Sequence, residues 1–197
     1  SKVIVGTSIG KNFDTPNEKA FEDYLLCLEK VYEHTDYIAV NISSPNTENL
    51  RELSNKEYLG NLLSKIKSKQ EDLSSFHGYK PVFIKISPDE QLENLREICN
   101  SVLIYKLDGI ICSNTTAEHD DKNGKGGISG KPLKNKATVR LKFVKSIIKD
   151  ELPIMASGGV MSVSDYKEKI DAGADLVQIY TGFIFEGPEL VHELVNL

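Results

Sequence analysis

The feature that most constrains this chain is a regular alternation of short apolar strands with amphipathic helical stretches. Between the strands, apolar residues recur at the spacing of one helix face. Three such predicted faces are Leu59, Leu62, Leu63 and Ile66; Leu92, Leu95, Ile98, Cys99 and Val102; and Ala137, Leu141, Val144 and Ile148. This alternation predicts βαβ units and therefore a parallel sheet. The predicted strands are Val3–Gly6, Tyr37–Val40, Val82–Ile86, Gly109–Cys112, Pro153–Ala156 and Leu176–Ile179.

Two α/β architectures share this alternation, the (β/α)8 TIM barrel and the open doubly wound sheet. The unit length of about 33 residues is close to that of a barrel, which has ~250 residues in eight units. No Gly-x-Gly-x-x-Gly turn follows the first strand, which disfavours a dinucleotide-binding opening. Polar residues follow every strand, and in a barrel such positions converge on one mouth. We therefore expect residues 1–197 to form one partial TIM-barrel domain with about six units; the polar residues are Ser8, Asn41, Lys85, Ser113, Asn114, Ser157, Tyr180 and Thr181.

Composition excludes several other classes of protein. The chain has 24 basic and 29 acidic residues, interleaved, and a net charge of -5, which argues against nucleic acid as a partner. Its longest apolar runs are far shorter than the ~18 residues of a membrane span. Three widely spaced cysteines indicate a reducing compartment rather than a disulfide framework. Neither the cysteines nor the four histidines have metal-ligand spacing, so no metal site is predicted.

Glycine-containing turns after the last two strands indicate an anion site. Gly158 and Gly159 follow one strand, and Tyr180 and Thr181 follow the next. Glycines let backbone N–H groups approach an anion closely, and barrel phosphate sites commonly lie after strands seven and eight. The alternative is that the two glycines only make a tight turn.

Two further positions carry candidate chemistry. Lys85 ends an apolar strand, where a lysine faces either an anion or the solvent at the strand edge. The loop Asn41–Thr47 offers amides for a planar polar ligand and hydroxyls for proton transfer, although an ordinary turn has the same composition. Because no histidine lies near this loop in sequence, a Ser–His hydrolase is not indicated.

Together these motifs resemble the dihydroorotate dehydrogenase family, in the family's order and over essentially the whole chain. The serine-containing loop resembles the class 2, quinone-dependent, membrane-associated enzymes, whereas class 1 enzymes carry a cysteine base there. The stretch from Asp23 to Arg51 is more similar to the bacterial branch than to the animal one. The motifs are Asn41–Thr47 (NISSPNT), Lys85–Asp89 (KISPD), Ser113–Thr116 (SNTT), Gly127–Leu133 (GISGKPL) and the tail from Gly158 to Thr181.

The resemblance implies an activity and a set of site residues. The family oxidises (S)-dihydroorotate to orotate in pyrimidine biosynthesis, with FMN as electron carrier and quinone as acceptor. It implies that Ser44 is the base that removes the C5 proton. The implied pyrimidine ligands are Asn41, Asn46, Asn114 and Thr115, and the implied FMN ligands are Ser8, Asn41, Lys85, Ser113, Gly130, Gly158, Gly159, Tyr180 and Thr181.

The chain departs from the family pattern in two ways. Ser8 stands where the family usually has a flavin-contacting asparagine. The chain also resembles only barrel strands three to eight, without the N-terminal helical pair that contacts the membrane and admits quinone. The resemblance therefore implies a fragment of a peripheral protein on the cytoplasmic face of the bacterial inner membrane, or alternatively on the mitochondrial inner membrane.

Two alternative functions stay open at this point. One is another FMN barrel oxidoreductase, of class 1 or of the dihydropyrimidine type, against which Ser44 counts. The other is a non-catalytic module that binds a phosphate-bearing ligand. With six of eight strands, we also expect the 197-residue chain alone to have two open sheet edges and to self-associate.

Overall fold

The computed structural model describes residues 3–44, 53–54, 56–118 and 126–197. Strands and helices alternate along this part of the chain. The strands are β1 (Gly6–Ile9), β2 (Tyr37–Asn41), β3 (Val82–Ile86), β4 (Gly109–Cys112), β5 (Ile154–Ser157) and β6 (Leu176–Gln178). The helices are α1 (Ala20–Val31), α2 (Lys56–His77), α3 (Leu92–Ile104), α4 (Lys134–Ile148), α5 (Val163–Asp171), α6 (Thr181–Glu186) and α7 (Pro188–Val195).

The six strands form one parallel sheet in sequential order, β1-β2-β3-β4-β5-β6. A doubly wound sheet reverses its strand order at a switch point, and this sheet has none. The sheet is therefore an arc of a TIM barrel, which confirms the predicted fold. Within the described part of the chain, β1 and β6 each pair on one side only.

The curl of the sheet separates an inner layer from the outer core. Ala39, Phe83, Ile111 and Met155 form a small apolar cluster that is distinct from the core beneath the helices. Across the inside of the arc, Gln178 Nε2 on β6 lies 3.5 Å from the hydroxyl of Tyr37 on β2. Strands that are four places apart in the sheet can come this close only if the sheet is curved.

The outer core lies between the sheet and the helices and agrees with the predicted helical faces. On α4 the predicted residues Ala137, Leu141, Val144 and Ile148 are all buried. Burial of each large aliphatic side chain is worth roughly 1.5–3 kcal/mol. Leu92, predicted on the buried face of α3, is instead 47% exposed because it is the first residue of that helix. Of the helices that the structure describes, none combines the length and the apolar character needed to cross a membrane.

The structure corrects several element boundaries. β1 begins at Gly6 rather than Val3, because its partner β2 begins at Tyr37, which is in register with Gly6. Val3 and Ile4 are exposed beside this edge of the sheet. β5 is shifted by one residue toward its C-terminal end, and α6 was not predicted at all. The self-association of the isolated chain stays a prediction.

Candidate functional site

A cavity of about 570 Å³ opens at the carboxyl ends of strands β3 to β6. This is the mouth of the barrel arc, where barrel active sites lie. Lys85 on β3, the loops that follow β4, β5 and β6, and the segment before α4 supply its walls. Lining residues that the sequence predicted are Lys85, Ser113, Asn114, Thr115, Gly130, Gly158, Gly159, Tyr180 and Thr181.

The remaining predicted residues lie in different places. Asn41 adjoins the cavity through a hydrogen bond from Asn114. Ser44 is half-buried in the loop that follows β2. Ser8 is exposed on β1, in register with Ala39, and does not line the cavity. Asn46 lies outside the described residues.

The backbone of two loops forms the end of the cavity nearest β5 and β6. Gly158 and Gly159 have φ values of +107° and +78°, which L side chains rarely adopt. A Cβ on Gly159 would lie 2.3 Å from Cα of Lys134, so the loop packs directly against the start of α4. A Cβ on Gly182 would lie 2.2 Å from the carbonyl oxygen of Val160, so the two loops also touch each other. Both close approaches require glycine and leave backbone groups at the cavity wall.

The segment before α4 closes the same end of the cavity. The hydroxyls of Ser129 and Thr181 lie 2.7 Å apart, which joins this segment to the loop after β6. A Cβ on Gly130 would lie 2.8 Å from Cγ2 of Thr181. The three loops thus form one packed rim around the glycine turn.

At the opposite end, side-chain amides and a hydroxyl form a network. Oδ1 of Asn41 accepts hydrogen bonds from Nδ2 of Asn114 and from the hydroxyl of Ser43, both at 3.1 Å. Asn114 Nδ2 also donates to the Ser43 hydroxyl, and its Oδ1 accepts from the backbone N–H of Thr115. Among the residues that the structure describes, none accepts a hydrogen bond from Nδ2 of Asn41. That amide therefore has a donor available for a ligand.

The two serines of the NISSPNT loop differ in environment. Ser43 is fully buried, and its hydroxyl is held by Asn41 and Asn114. Ser44 is half-buried, so its hydroxyl is the more accessible of the two. Below them, the buried Tyr24 hydroxyl donates to the backbone carbonyl of Asn41 and fixes the end of β2. Burial raises the pKa of this phenol, which keeps it protonated as a donor.

Lys85 places a positive charge at the cavity wall, beside the amide network. It lies on β3, in register with Asn41 on β2, so both side chains leave the same face of the sheet. Of the described lining residues, it is the only one that is charged at neutral pH. Burial lowers the pKa of its ammonium, and no described residue forms an ion pair or hydrogen bond with it. Such a lysine is suited to an anionic ligand.

An ion pair anchors the loop that follows β4. Lys136 on α4 binds both Asp89 and Glu118, and Asp89 also accepts from the Thr116 hydroxyl and from the backbone N–H of Ala117. Burial alone would raise the pKa of Asp89, but these hydrogen bonds outweigh it and hold that pKa below its usual value. Thr116 also forms an isolated antiparallel bridge with Ile128. The network therefore fixes one wall of the cavity.

Several cavity or network residues were not among the predicted site residues. They are Ser43, Ser129 and Gln178. A glutamine in an otherwise apolar strand was a visible signal for Gln178. The contacts of Ser43 with Asn114 and of Ser129 with Thr181 had no signal in the local sequence, because these partners lie far away in the chain.

The cavity thus combines a glycine cradle (the turn at Gly158 and Gly159), the lysine Lys85 and, at its edge, an amide patch formed by Asn41 and Asn114. Such a site can hold an elongated ligand that has an anionic group at one end and a planar, polar ring system at the other.

Comparison with known proteins places this geometry in a family context. The family model described as dihydroorotate dehydrogenase matches residues 2–196. The dihydroorotate dehydrogenase (quinone) of Shewanella sediminis is 46% identical over 203 residues, which cover 100% of this chain and 60% of the relative. The enzyme of the same name from Aliivibrio fischeri (strain ATCC 700601 / ES114) is 48% identical over 200 residues, covering 98% of this chain and 60% of the relative. The chain therefore spans about 60% of the length of these curated relatives.

Solved structures give the same result for the fold. The structure of Eimeria tenella DHODH in complex with ferulenol matches with a TM-score of 0.91 and 31% sequence identity. The match covers 98% of this chain and 56% of that one. A ligand-free structure of DHODH from the same organism matches with a TM-score of 0.89, 32% identity and coverage of 98% and 58%.

Proposed function

The chain belongs to the dihydroorotate dehydrogenase family, and from that premise we propose that it forms the FMN site of an enzyme that oxidises (S)-dihydroorotate to orotate. One observation carries the proposal. The same cavity has a glycine cradle at one end and, at the other, the Asn41–Asn114 amide patch with Lys85 beside it. The proposed enzyme acts in pyrimidine biosynthesis and passes electrons to a quinone.

The residues present fit FMN. The cradle at Gly158 and Gly159, with Tyr180 and Thr181 beside it, suits a phosphate because residues without side chains line the cavity there. Lys85, Ser113 and Gly130 would hold the isoalloxazine ring. We expect the Lys85 ammonium to stabilise negative charge that develops on this ring. Ser8, the remaining proposed FMN contact, lies on β1 outside the cavity.

On this proposal, the chain supplies substrate orientation and proton removal. Asn41, Asn46, Asn114 and Thr115 bind the pyrimidine ring through its amide and carbonyl groups. The Ser44 hydroxyl would accept the proton from C5 as it releases its own proton to solvent water, since a serine alone is a poor base at neutral pH. When bound, FMN supplies the acceptor for the hydride that leaves C6 of the substrate.

Three considerations support the identity of the acceptor and the place of action. The relatives cited above are named as quinone enzymes. Ser44 agrees with class 2, whereas class 1 enzymes carry a cysteine base. By likeness to these bacterial relatives, we infer a peripheral position on the cytoplasmic face of the inner membrane, with quinone as the electron acceptor.

An acceptor assay on the natural full-length protein tests the proposal. We expect dihydroorotate-dependent reduction of a ubiquinone or menaquinone analogue, and much slower reduction of fumarate or NAD. A preference for fumarate or NAD would favour a class 1 enzyme. A protein without a flavin absorption band would contradict the proposal and favour a phosphate-ligand module.

A further inference from the structure

Behind the glycine cradle, the structure contains a lysine that is withdrawn from solvent. Lys169 on α5 is 0% exposed. Its ammonium donates to the carbonyl oxygen of Lys134 at 3.1 Å and to the hydroxyl of Thr138 at 2.6 Å. Both acceptors lie in the first turns of α4, so the ammonium sits between α4 and α5.

The position of this ammonium relates it to the cavity. Lys134 is the residue against which Gly159 packs, at a distance that leaves no space for a Cβ. Gly159 lines the cavity, and Lys169 binds the backbone carbonyl of the same Lys134. The first residue of α4 therefore contacts both the cradle and the buried ammonium.

The nearby carboxylates are engaged by a different lysine. The Lys134 ammonium binds Asp165 at 2.6 Å and Glu168 at 2.9 Å. Asp165 also accepts from the backbone N–H of Met161, and Glu168 accepts from the Thr138 hydroxyl. Within the described ranges, no carboxylate forms an ion pair with Lys169, whose contacts are to neutral oxygens.

A buried charge without a carboxylate partner is costly to stability, and replacing it by an apolar side chain of similar size is often neutral or stabilising. Burial lowers the pKa of this ammonium and outweighs the opposite effect of the nearby carboxylates of Glu168 and Asp165. An anion bound at the cradle would attract this ammonium through the low-dielectric interior and would so offset the cost of burying its charge.

We propose that Lys169 is a positioning residue whose buried charge favours a phosphate-type anion at Gly158 and Gly159, through the first turn of α4. This inference rests on the proposed function, because it takes the anion to be the phosphate of FMN. The competing explanation is a purely structural brace between α4 and α5.

The experiment measures the dissociation constants of FMN and riboflavin for the natural full-length protein after removal of its flavin. The variant is Lys169→Met, and the matched control is Lys167→Met, two residues away on the exposed face of α5. Two unit charges about 10 Å apart at an effective dielectric constant of about 20 change an affinity by on the order of tenfold. We therefore expect K169M to reduce the preference for FMN over riboflavin about tenfold, with riboflavin binding unchanged and the thermal midpoint equal or higher.

The outcomes separate the two levels of the argument. If K169M keeps the parent's ratio of FMN to riboflavin affinity, including the case in which both affinities fall equally, the role of Lys169 would be overturned. The proposed function would stay intact. A parent protein that does not prefer FMN would contradict the proposed function, and the inference with it. If K169M does not fold, Lys169→Gln keeps a hydrogen-bond donor without the charge, and the same loss of preference is expected.

Discussion

Asn114, which follows β4, donates a hydrogen bond of 3.1 Å to Oδ1 of Asn41 at the end of β2, although β3 lies between these two strands. The contact forms because the sheet curls, so that the loops after β2 and β4 meet above the end of β3. Lys85, which leaves β3 in register with Asn41, lies at the same place. The polar groups of three successive units therefore act as one surface toward a ligand.

Replacement of Ser44 tests the proposed base. We expect Ser44→Ala to retain flavin but to slow its reduction by dihydroorotate by ~10²–10⁴-fold, the usual contribution of a general base. Stopped-flow absorbance of the flavin measures the rate, with Ser146→Ala on the exposed side of α4 as the control. Bleaching of S44A at the parent rate would remove Ser44 from the mechanism.

Replacement of Lys85 tests the role of its charge. We expect Lys85→Ala to weaken FMN retention and to lower the flavin reduction potential, because charge that develops on the reduced ring loses its nearby cation. Spectroelectrochemical titration measures the potential, and Lys30→Ala on the exposed face of α1 is the control. An unchanged potential would mean that Lys85 is only a strand-edge residue.

A comparison of two glycines separates the effect of the cradle from the effect of backbone strain alone. Gly159 and Gly78 have φ values of +78° and +77°, but a Cβ on Gly78 would meet no atom within 4 Å. We expect Gly78→Ala to cost about 1–2 kcal/mol of unfolding free energy and to keep its flavin. Gly159→Ala should lose more stability and most of its flavin, because its Cβ collides with the backbone of Lys134. Denaturant unfolding and the flavin content per chain measure both effects; equal behaviour of the two variants would argue against the cradle.

Asp89 gives the stability of the site a defined pH dependence. Its folded-state pKa lies below the unfolded value of about 3.9, so its contribution is complete above that value and is lost as the pH falls through the folded value. We expect Asp89→Asn to lower the free energy of unfolding by about 1–3 kcal/mol at pH 7, and the difference from the parent to shrink below about pH 4.

The control for this prediction is Asp150→Asn. Asp150 forms an ion pair with Lys145 but its side chain is 95% exposed, and such pairs contribute little. Denaturant unfolding between pH 3 and 8 follows all three proteins. A difference between D89N and the parent that does not change with pH would show that Asp89 acts through packing rather than through its charge.

The parts of the fold that were predictable from sequence are those governed by local pattern. β3 and β4 were predicted with their observed bounds, because a short apolar run between turn residues describes a strand that is buried on both faces. The buried face of α4 followed from its 3.6-residue period. The predicted start of β1 at Val3 was wrong, because the start of this strand depends on where its partner strand begins.

The site could be predicted where a motif carries the residue and not where a distant contact does. Lys85, Asn114 and Gly158 were found because each lies at or just after the carboxyl end of a strand. Lys169 was not found from the sequence, because a lysine on an amphipathic helix ordinarily faces solvent. Its burial follows from the packing of α5 on α4, which no local pattern encodes.

The most direct test of the central claim is an anaerobic titration of the natural full-length protein with dihydroorotate, followed by absorbance in the flavin band. We predict a yellow protein whose flavin bleaches with one equivalent of dihydroorotate per flavin, releases one orotate, and regains its colour when a quinone is added. A protein that holds flavin in this cavity but whose spectrum does not change with dihydroorotate would contradict the assignment.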